Sequence, residues 1–458
     1  MPRMAKKTEK DHPSLDLALP EQAKPKSGST AHGYQWKVGS PLPPIGAHSI
    51  AKHDIYDEYV DRYIHTLTKN HAQTALRLTI VDGFCGGGSY MFGGRAVSGS
   101  PLRLLRSVDS ARAKLIAAGR TSFNLDVDFI FIDDKADHIE FLREELTRAG
   151  YGHLIGSKIH LVNRVFEQAA PSVIEAIKKK GRAHHSLFFL DQYGWNGVRL
   201  QTVRTIMEQL VNPEVVLTFM VDALANLLDS RESTIRALAK LDFNREDVKA
   251  LVAMKDMEGW KRIIQNTLYQ HIKAHTGAEF FTTFFVHPPE SHRDYWLLHL
   301  SKHHQAREEI GNVFWRTSNT MEHHGRDGID ALGFDPKVDV RHDMRQYGFD
   351  GDAKERSKAA LANQLPPMLH DARKTGSPIT KRSLFVDKAN DTPINGEILD
   401  TQIAAMRDAG DIIVLGKRRN GAGEVVTTVR ESVTAFAWND EIVFPRQHQL
   451  FSPFTKAA

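Results

Sequence analysis

RLTIVDGFCGGGSYMFGGRAVSGSP, residues 77–101, is the stretch on which the fold turns. Arg77 to Val81 is a short run with β-branched residues that stops at Asp82. Gly83, Gly86, Gly87 and Gly88 follow, and after a loop Ser100-Pro101 opens an amphipathic helical run. A strand, a glycine turn and a helix make the first unit of a nucleotide-type α/β site. Small residues let the backbone approach a ligand closely. Asp82 would stand at the carboxyl edge of the strand, where open α/β sheets bind ligands.

The spacing argues against two familiar ligands. A phosphate-cradling loop places Lys after its last glycine, and no Lys follows here. A dinucleotide turn starts its helix inside the glycine run, whereas this one waits until Ser100. Asp82, Phe84, Gly86 and Gly88, spaced Asp-x-Phe-x-Gly-x-Gly, resemble instead the first motif of class I S-adenosylmethionine (SAM) methyltransferases. SAM has a methionine ammonium that an acid can hold and no phosphate to cradle. The alternative is a glycine turn that only joins strand to helix.

Composition sets the frame. At 458 residues the chain exceeds one compact core, so two or three units are expected. Apolar content of 41% and charged content of 25% are ordinary for a globular protein. A net charge of +4 is too small to imply nucleic-acid binding by itself. The single Cys85 leaves no internal disulfide framework and no zinc-cysteine cluster, which fits a reducing cytoplasm. No apolar run reaches the roughly 18 residues of a membrane span. The basic start MPRMAKKTEKDHPSL lacks the apolar core of a signal peptide.

Strands and helices alternate after the glycine turn. Apolar strands are expected at 77–82, 127–132, 158–163, 186–191 and 214–219, with helices at 101–118, 136–149, 167–180 and 200–211. Such strands, nearly continuous in apolar residues, form a parallel sheet covered on both faces. Residues 221–279 read as a helical insertion, with Trp260, Ile263, Ile264, Leu268 and Ile272 on one face. FFTTFFV (280–286) and YWLLHLS (295–301), joined by HPPESHRD, form a hairpin. The fold expected is α/β: a Rossmann-like, mostly parallel sheet with a terminal antiparallel hairpin, the class I methyltransferase layout.

The ends frame that domain, which spans 33–335. Residues 1–32 show no periodicity and read as a disordered arm. Ile55, Tyr59, Tyr63 and Leu67 mark one helix face, with Lys52 and His53 at its entrance, facing either the ligand cleft or solvent. Residues 336–365 read as a loop-rich connector. In 366–458, helical runs at 381–390 and 393–410 precede a strand, a tip and a strand. That order resembles a winged helix-turn-helix, a fold that often lays its second helix on nucleic acid.

The candidate site residues follow from these strand ends. Asp82, Gly83, Phe84, Gly86 and Gly88 would hold the methionine part of SAM. Asp133, ending the second strand, would accept from ribose hydroxyls. Asn163 and Phe166, just past the third strand, stand where such folds hold an adenine ring. Asp191-Gln192-Tyr193-Gly194-Trp195 follows the fourth strand, where amino-methyltransferases of nucleic acids carry an acidic or amide residue, two prolines and an aromatic. Asp191 would accept from a target amine, and Tyr193 or Trp195 would stack on an extruded base. The histidine pairs at 184–185, 303–304 and 323–324 point to opposite faces if in strands, so no metal site is expected. Lys417, Arg418 and Arg419 at the wing tip suit phosphate contacts with DNA or RNA. Residues 370–458 nevertheless hold 12 Lys/Arg against 11 Asp/Glu, so a protein-binding wing stays open.

Several of these motifs together resemble the three-Cys-motif partner family (TcmP). They are Trp36, Ala51-Lys52-His53 with Tyr59, Val81-Asp82-Gly83-Phe84 with Gly86 and Gly88, and Gly99-Ser100-Pro101. Asp191 to Trp195, Tyr295-Trp296-Leu297-Leu298 and the run ending Phe314-Trp315 belong with them. The resemblance covers residues 36 to 335, with a winged-helix-like unit after it. It implies a SAM-methyltransferase-like fold in a prokaryote and a companion three-cysteine protein resembling radical-SAM enzymes. It does not imply a reaction. The chain departs from the pattern at Gln192, where Pro is usual, and at Val165, where an acid often stands. Cys85 and Gly87 replace the usual Ala and Pro. These departures leave open a second function, a non-catalytic partner subunit in a nucleic-acid-associated system.

Overall fold

The computed structural model describes residues 34–257, 260–286, 295–317, 321–324, 346–348, 351–386, 388–390, 392, 394–421 and 423–445. The amino-terminal arm, the 287–294 link and residues 336–345 and 349–350 of the connector lie outside the described residues. The chain divides into two compact units after Glu322.

The first unit carries strands β1 (Ala75–Asp82), β2 (Ser89–Phe92), β3 (Arg95–Ser98), β4 (Asn124–Asp133), β5 (Ile159–Asn163), β6 (His185–Leu190), β7 (Asn212–Phe219), β8 (Phe280–Val286), β9 (Tyr295–Ser301) and β10 (Met321–His324). Its helices are α1 (Ala47–Leu67), α2 (Ser100–Ala117), α3 (Ala136–Arg148), α4 (Phe166–Lys179), α5 (Leu200–Gln209), α6 (Val221–Leu227), α7 (Glu232–Leu238), α8 (Arg245–Ala253), α9 (Trp260–His275) and α10 (His304–Thr317). Within this unit the main sheet runs β10-β8-β9-β7-β6-β1-β4-β5. From β7 to β5 all neighbours are parallel. β9 pairs antiparallel with β7 and with β8. This order, with first and fourth strands adjacent and an antiparallel last strand slotted beside the fifth, is the Rossmann-like layout of class I methyltransferases.

Register puts the chemistry on one edge. β1 is central, with Asp82 level with Phe131 of β4 and Phe189 of β6. Asp133 pairs with Asn163 across β4 and β5. Asp82, Asp133, Asn163 and Asp191 therefore end four adjacent parallel strands on the same side, where the reversal of strand order between β1 and β6 opens a crevice. Burial explains why these runs are strands: Ile80, Val81, Ile130, Phe131, Phe188 and Phe189 are fully buried, so both sheet faces are covered.

Three local expectations change. The delay between the glycines and α2 is a hairpin, β2–β3, whose four-residue strands are too short to show a clear alternation in sequence. Residues from 351 onward in the expected connector form α11 (Gly351–Lys374). Its buried Ala353, Ser357, Leu361, Leu365 and Leu369 recur every four residues, and that stripe carries the helix through Pro366 and Pro367. The helical run at 381–390 ends earlier than expected, as α12 (Lys381–Val386).

The second unit also holds β11 (Gln346–Gly348), β12 (Ile379–Thr380), α13 (Gly396–Asp408), β13 (Ile413–Arg419), β14 (Val425–Val429) and β15 (Glu441–Val443). Four of these strands form an antiparallel sheet ordered β12-β15-β13-β14. A buried pair, Lys381 Nζ to Asp400 Oδ1 at 2.7 Å, joins α12 to α13. Lys417, Arg418 and Arg419 occupy the end of β13, opposite Thr427, Val426 and Val425. They are exposed and lie beside the tip, not on it.

Candidate active site

The glycine loop is fixed by backbone bonds to both neighbouring strands. Gly83 N donates to Phe189 O (2.9 Å) and Cys85 N to Ile132 O (3.0 Å). A Cβ on Gly83 would stand 2.7 Å from Leu190 and 2.8 Å from Phe166, so only glycine lets β1 turn there. Gly86 (φ +59°) and Gly88 (φ +84°) adopt the left-handed conformation that glycine accepts without strain. Gly87 has another role: a Cβ there would run into the Trp36 indole. Trp36 lies against this loop, its indole N–H donating to Ser89 O at 2.6 Å. The chain around it pairs with β2 through Met91 N to Pro43 O (2.9 Å) and Ile45 N to Met91 O (3.0 Å).

A cavity of about 690 Å³ opens along the carboxyl edge of the sheet, within the ~300–1,000 Å³ of small-molecule sites. Phe84, Gly86, Asp133 and His138 line one end. Lys52, His53, Asp191, Thr218 and Tyr295 line the other, with Tyr34, Trp36 and Tyr90 along the wall and Tyr193 at 73% exposure on the rim. Asp82, Gly83, Gly88, Asn163 and Trp195 are not among the lining residues. Trp195 is 8% exposed and belongs to the hydrophobic core, so it packs under the loop and presents no stacking face. Val165 is exposed and also stands apart from the cavity. Asn163 Nδ2 donates to the Asp133 carbonyl at 3.1 Å and so braces the β4 end.

Three carboxylates differ in setting. Asp82, 1% exposed, lies behind the glycine loop and accepts from Phe84 N at 3.2 Å; its Oδ2 makes no hydrogen bond. Burial pushes its pKa up to about 7, against the lowering influence of Ser100 and the Phe84 amide. Asp133 accepts from Gly86 N (3.1 Å) and Lys135 N (2.9 Å), tying the loop to the β4 end. His138 Nδ1 is 3.0 Å from Asp133 Oδ1, at an angle that makes no hydrogen bond. Asp191 is gripped by Lys52, with Nζ 2.6 Å from Oδ1 and 2.5 Å from Oδ2. Burial acts to raise the Asp191 pKa, but the Lys52 cation outweighs it and holds the carboxyl below its ordinary value. Lys52 also lies 5.9 Å from the Tyr295 ring centroid. His53 is 3% exposed, and burial, with Lys52 beside it, lowers its pKa to about 3, so the imidazole is neutral at physiological pH.

Sequence reasoning did not anticipate the part played by Gln192. Its side chain is buried and makes three hydrogen bonds: Nε2 donates to Thr218 O (3.0 Å), while Oε1 accepts from Gly197 N (2.7 Å) and Val198 N (2.9 Å). The turn bearing Asp191 and Tyr193 is thus clamped onto β7 without prolines. Gly197 leaves room for the clamp, since a Cβ there would lie 3.1 Å from Gln192 Oε1.

No family model and no curated protein matches the chain. Among solved structures it is similar to a putative methyltransferase, yhhF, from Escherichia coli, at 10% identity over 59% of this chain and 99% of that chain, with a TM-score of 0.26. It is also similar to the N-terminal domain of human METTL16 in complex with SAH, at 12% identity over 54% of this chain and 69% of that one, with a TM-score of 0.25. The plantazolicin methyltransferase BamL matches at 10% identity over 55% and 86%, with a TM-score of 0.24. The fold assignment stands on strand order and register, not on these scores.

Proposed function

We propose that this protein is a SAM-dependent methyltransferase acting on nucleic acid. The observation that carries the reading is that one cavity joins Phe84, Gly86 and Asp133 to Asp191, Lys52 and Tyr193. The first group fits an adenosyl ligand: a carboxylate beside a side-chain-free loop can take ribose hydroxyls while the backbone approaches closely. Asp82 would act on that ligand through the loop it holds. Bound SAM supplies an electrophilic methyl group. At the far end Asp191, kept ionised by Lys52, accepts a hydrogen bond from the acceptor and then its proton. Tyr193 stands where an extruded base would stack. The exposed Lys417, Arg418 and Arg419 of the second unit offer phosphate contacts. Titration calorimetry with SAM, followed by tritiated-methyl transfer to single-stranded and duplex DNA and RNA, tests the reading. Asp191→Ala should retain SAM binding and lose transfer; no heat with folded protein would defeat it.

A second reading is a methyltransferase-fold partner subunit that works with a three-cysteine, radical-SAM-like companion, as the TcmP resemblance implies. It is favoured by the engagement of Asp133 and Asp191 with the protein's own groups. Co-purification with that companion and no methyl transfer to any nucleic acid would select it.

A further inference from the structure

We propose that the inner end of the cavity is a subsite for the edge of an aminated heterocycle: an amino group beside a ring nitrogen, as in a 6-aminopurine or a 4-aminopyrimidine. The proposal rests on the methyltransferase reading of the same cavity and names what its far end takes. Lys52, His53, Thr218 and Tyr295 line that end at 7%, 3%, 3% and 4% exposure. His53 Nδ1, Thr218 Oγ1 and the Tyr295 hydroxyl are buried and make no hydrogen bond among the described residues. The Thr218 hydroxyl is near enough to Asp191 to lower its pKa, yet misses hydrogen-bond geometry. Buried polar atoms are nearly always paired. Thr218 also faces the Tyr56 hydroxyl, likewise without a partner among the described residues, whereas the His53 and Tyr295 orphans line the cavity that holds the ion pair and mark a place where a ligand brings the missing partners.

Charge narrows the ligand. Lys52 and Asp191 neutralise one another. A phosphate or carboxylate would be pressed against Asp191, and a free ammonium against Lys52, each a buried like-charge encounter. An uncharged edge with a hydrogen-bond donor next to an acceptor meets neither penalty. Its amino hydrogen faces Asp191, and its ring nitrogen receives a hydrogen bond from Lys52 or Tyr295. In the same seat a keto counterpart turns its carbonyl oxygen toward the Asp191 carboxylate. The wall favours a flat ligand: Tyr34 and Tyr90 pack edge to face with centroids 5.2 Å apart, and the Tyr193 ring is exposed at the mouth. A side-chain carboxamide offers a similar edge but lacks the ring that these aromatics accommodate.

The test is calorimetry on the full chain saturated with S-adenosylhomocysteine, which keeps the adenosyl end filled. Adenosine and cytidine are titrated against their keto counterparts inosine and uridine, then against short single-stranded oligonucleotides of dA or dC. Amino nucleosides should bind at least ~10-fold more tightly than keto ones, since the mismatch leaves buried polar groups unpaired. Tyr295→Phe should weaken them several-fold without changing S-adenosylhomocysteine affinity. Asp191→Asn, which can both donate and accept, should erase the amino preference. Stronger binding of oligonucleotides assigns the edge to a polynucleotide; stronger binding of nucleosides assigns it to a free metabolite. Equal affinity for amino and keto forms, or a glutamine-bearing peptide bound in preference to both, overturns the proposal. Failure to bind S-adenosylhomocysteine itself defeats the methyltransferase reading, a separate outcome.

Discussion

Replacing Gln192 with Ala should loosen the one turn on which both Asp191 and Tyr193 depend. The side chain satisfies the Thr218 carbonyl and the Gly197 and Val198 amides. The Gly197 amide is partly reachable by water, so two groups, Val198 N–H and Thr218 C=O, are left buried without partners. Each such loss costs ~1–3 kcal/mol, giving about 3 kcal/mol of local destabilisation. Hydrogen exchange of peptides spanning 191–200 should then quicken about a hundredfold, at ~1.4 kcal/mol per tenfold. Gln192→Glu supplies the sign. A protonated Glu can donate to Thr218 O and accept from the two amides; an ionised one can only accept and is repelled by the carbonyl. Burial raises its folded pKa above the unfolded ~4.3. Relative to wild type at the same pH, its stabilising role is therefore complete below the unfolded pKa and is lost as pH rises through the raised folded value. A difference from wild type that stays flat between ~pH 4 and 8, or unchanged exchange in the Ala variant, would refute the clamp.

Three further outcomes are expected. The Asp82 pKa is raised to about 7 by burial, so the wild-type chain should lose stability against Asp82→Asn as pH climbs from ~4 through 7, by up to about 4 kcal/mol; equal unfolding midpoints for the two chains at every pH would contradict this. Lys52→Met strands the Asp191 carboxylate and should cost about 3 kcal/mol in urea unfolding of the first unit, much of it recovered in Lys52→Met with Asp191→Leu; a double variant no better than the single would contradict it. Changing Lys417, Arg418 and Arg419 together to Glu should weaken DNA or RNA binding and flatten its salt slope by ~0.9 for each phosphate no longer neutralised, whereas an unchanged gel shift would assign that hairpin to a protein partner.

The sheet was legible because its strands are buried on both faces and so write themselves as apolar runs. Asp82, Asp133 and Asp191 were legible because each closes such a run. What depends on residues far apart in the chain was not. Nothing in the glycine cluster says that Gly87 is small to admit Trp36, 51 residues away in sequence. The β2–β3 hairpin has only four residues in each strand, Ser89–Phe92 and Arg95–Ser98 joined by Gly93-Gly94, too short a pattern to separate from loop. An aromatic after a strand is ambiguous between core and ligand, and Trp195 falls on the core side while Tyr193, two residues earlier, faces out. Gln192 read as a missing proline, because its three hydrogen bonds need partners from β7 and from a turn that only the fold brings together. Lys52 read as a helix entrance; its ion pair with Asp191 spans 139 residues.

If the cavity is an adenosyl site, Asp133 governs its affinity. Calorimetry of S-adenosylhomocysteine with wild type and Asp133→Ala measures this directly. Wild type should bind saturably at submillimolar ligand and the variant at least ~10-fold more weakly, as expected for loss of an acceptor of hydroxyl hydrogen bonds. No heat with folded wild-type protein, or equal affinity in the two chains, would contradict it.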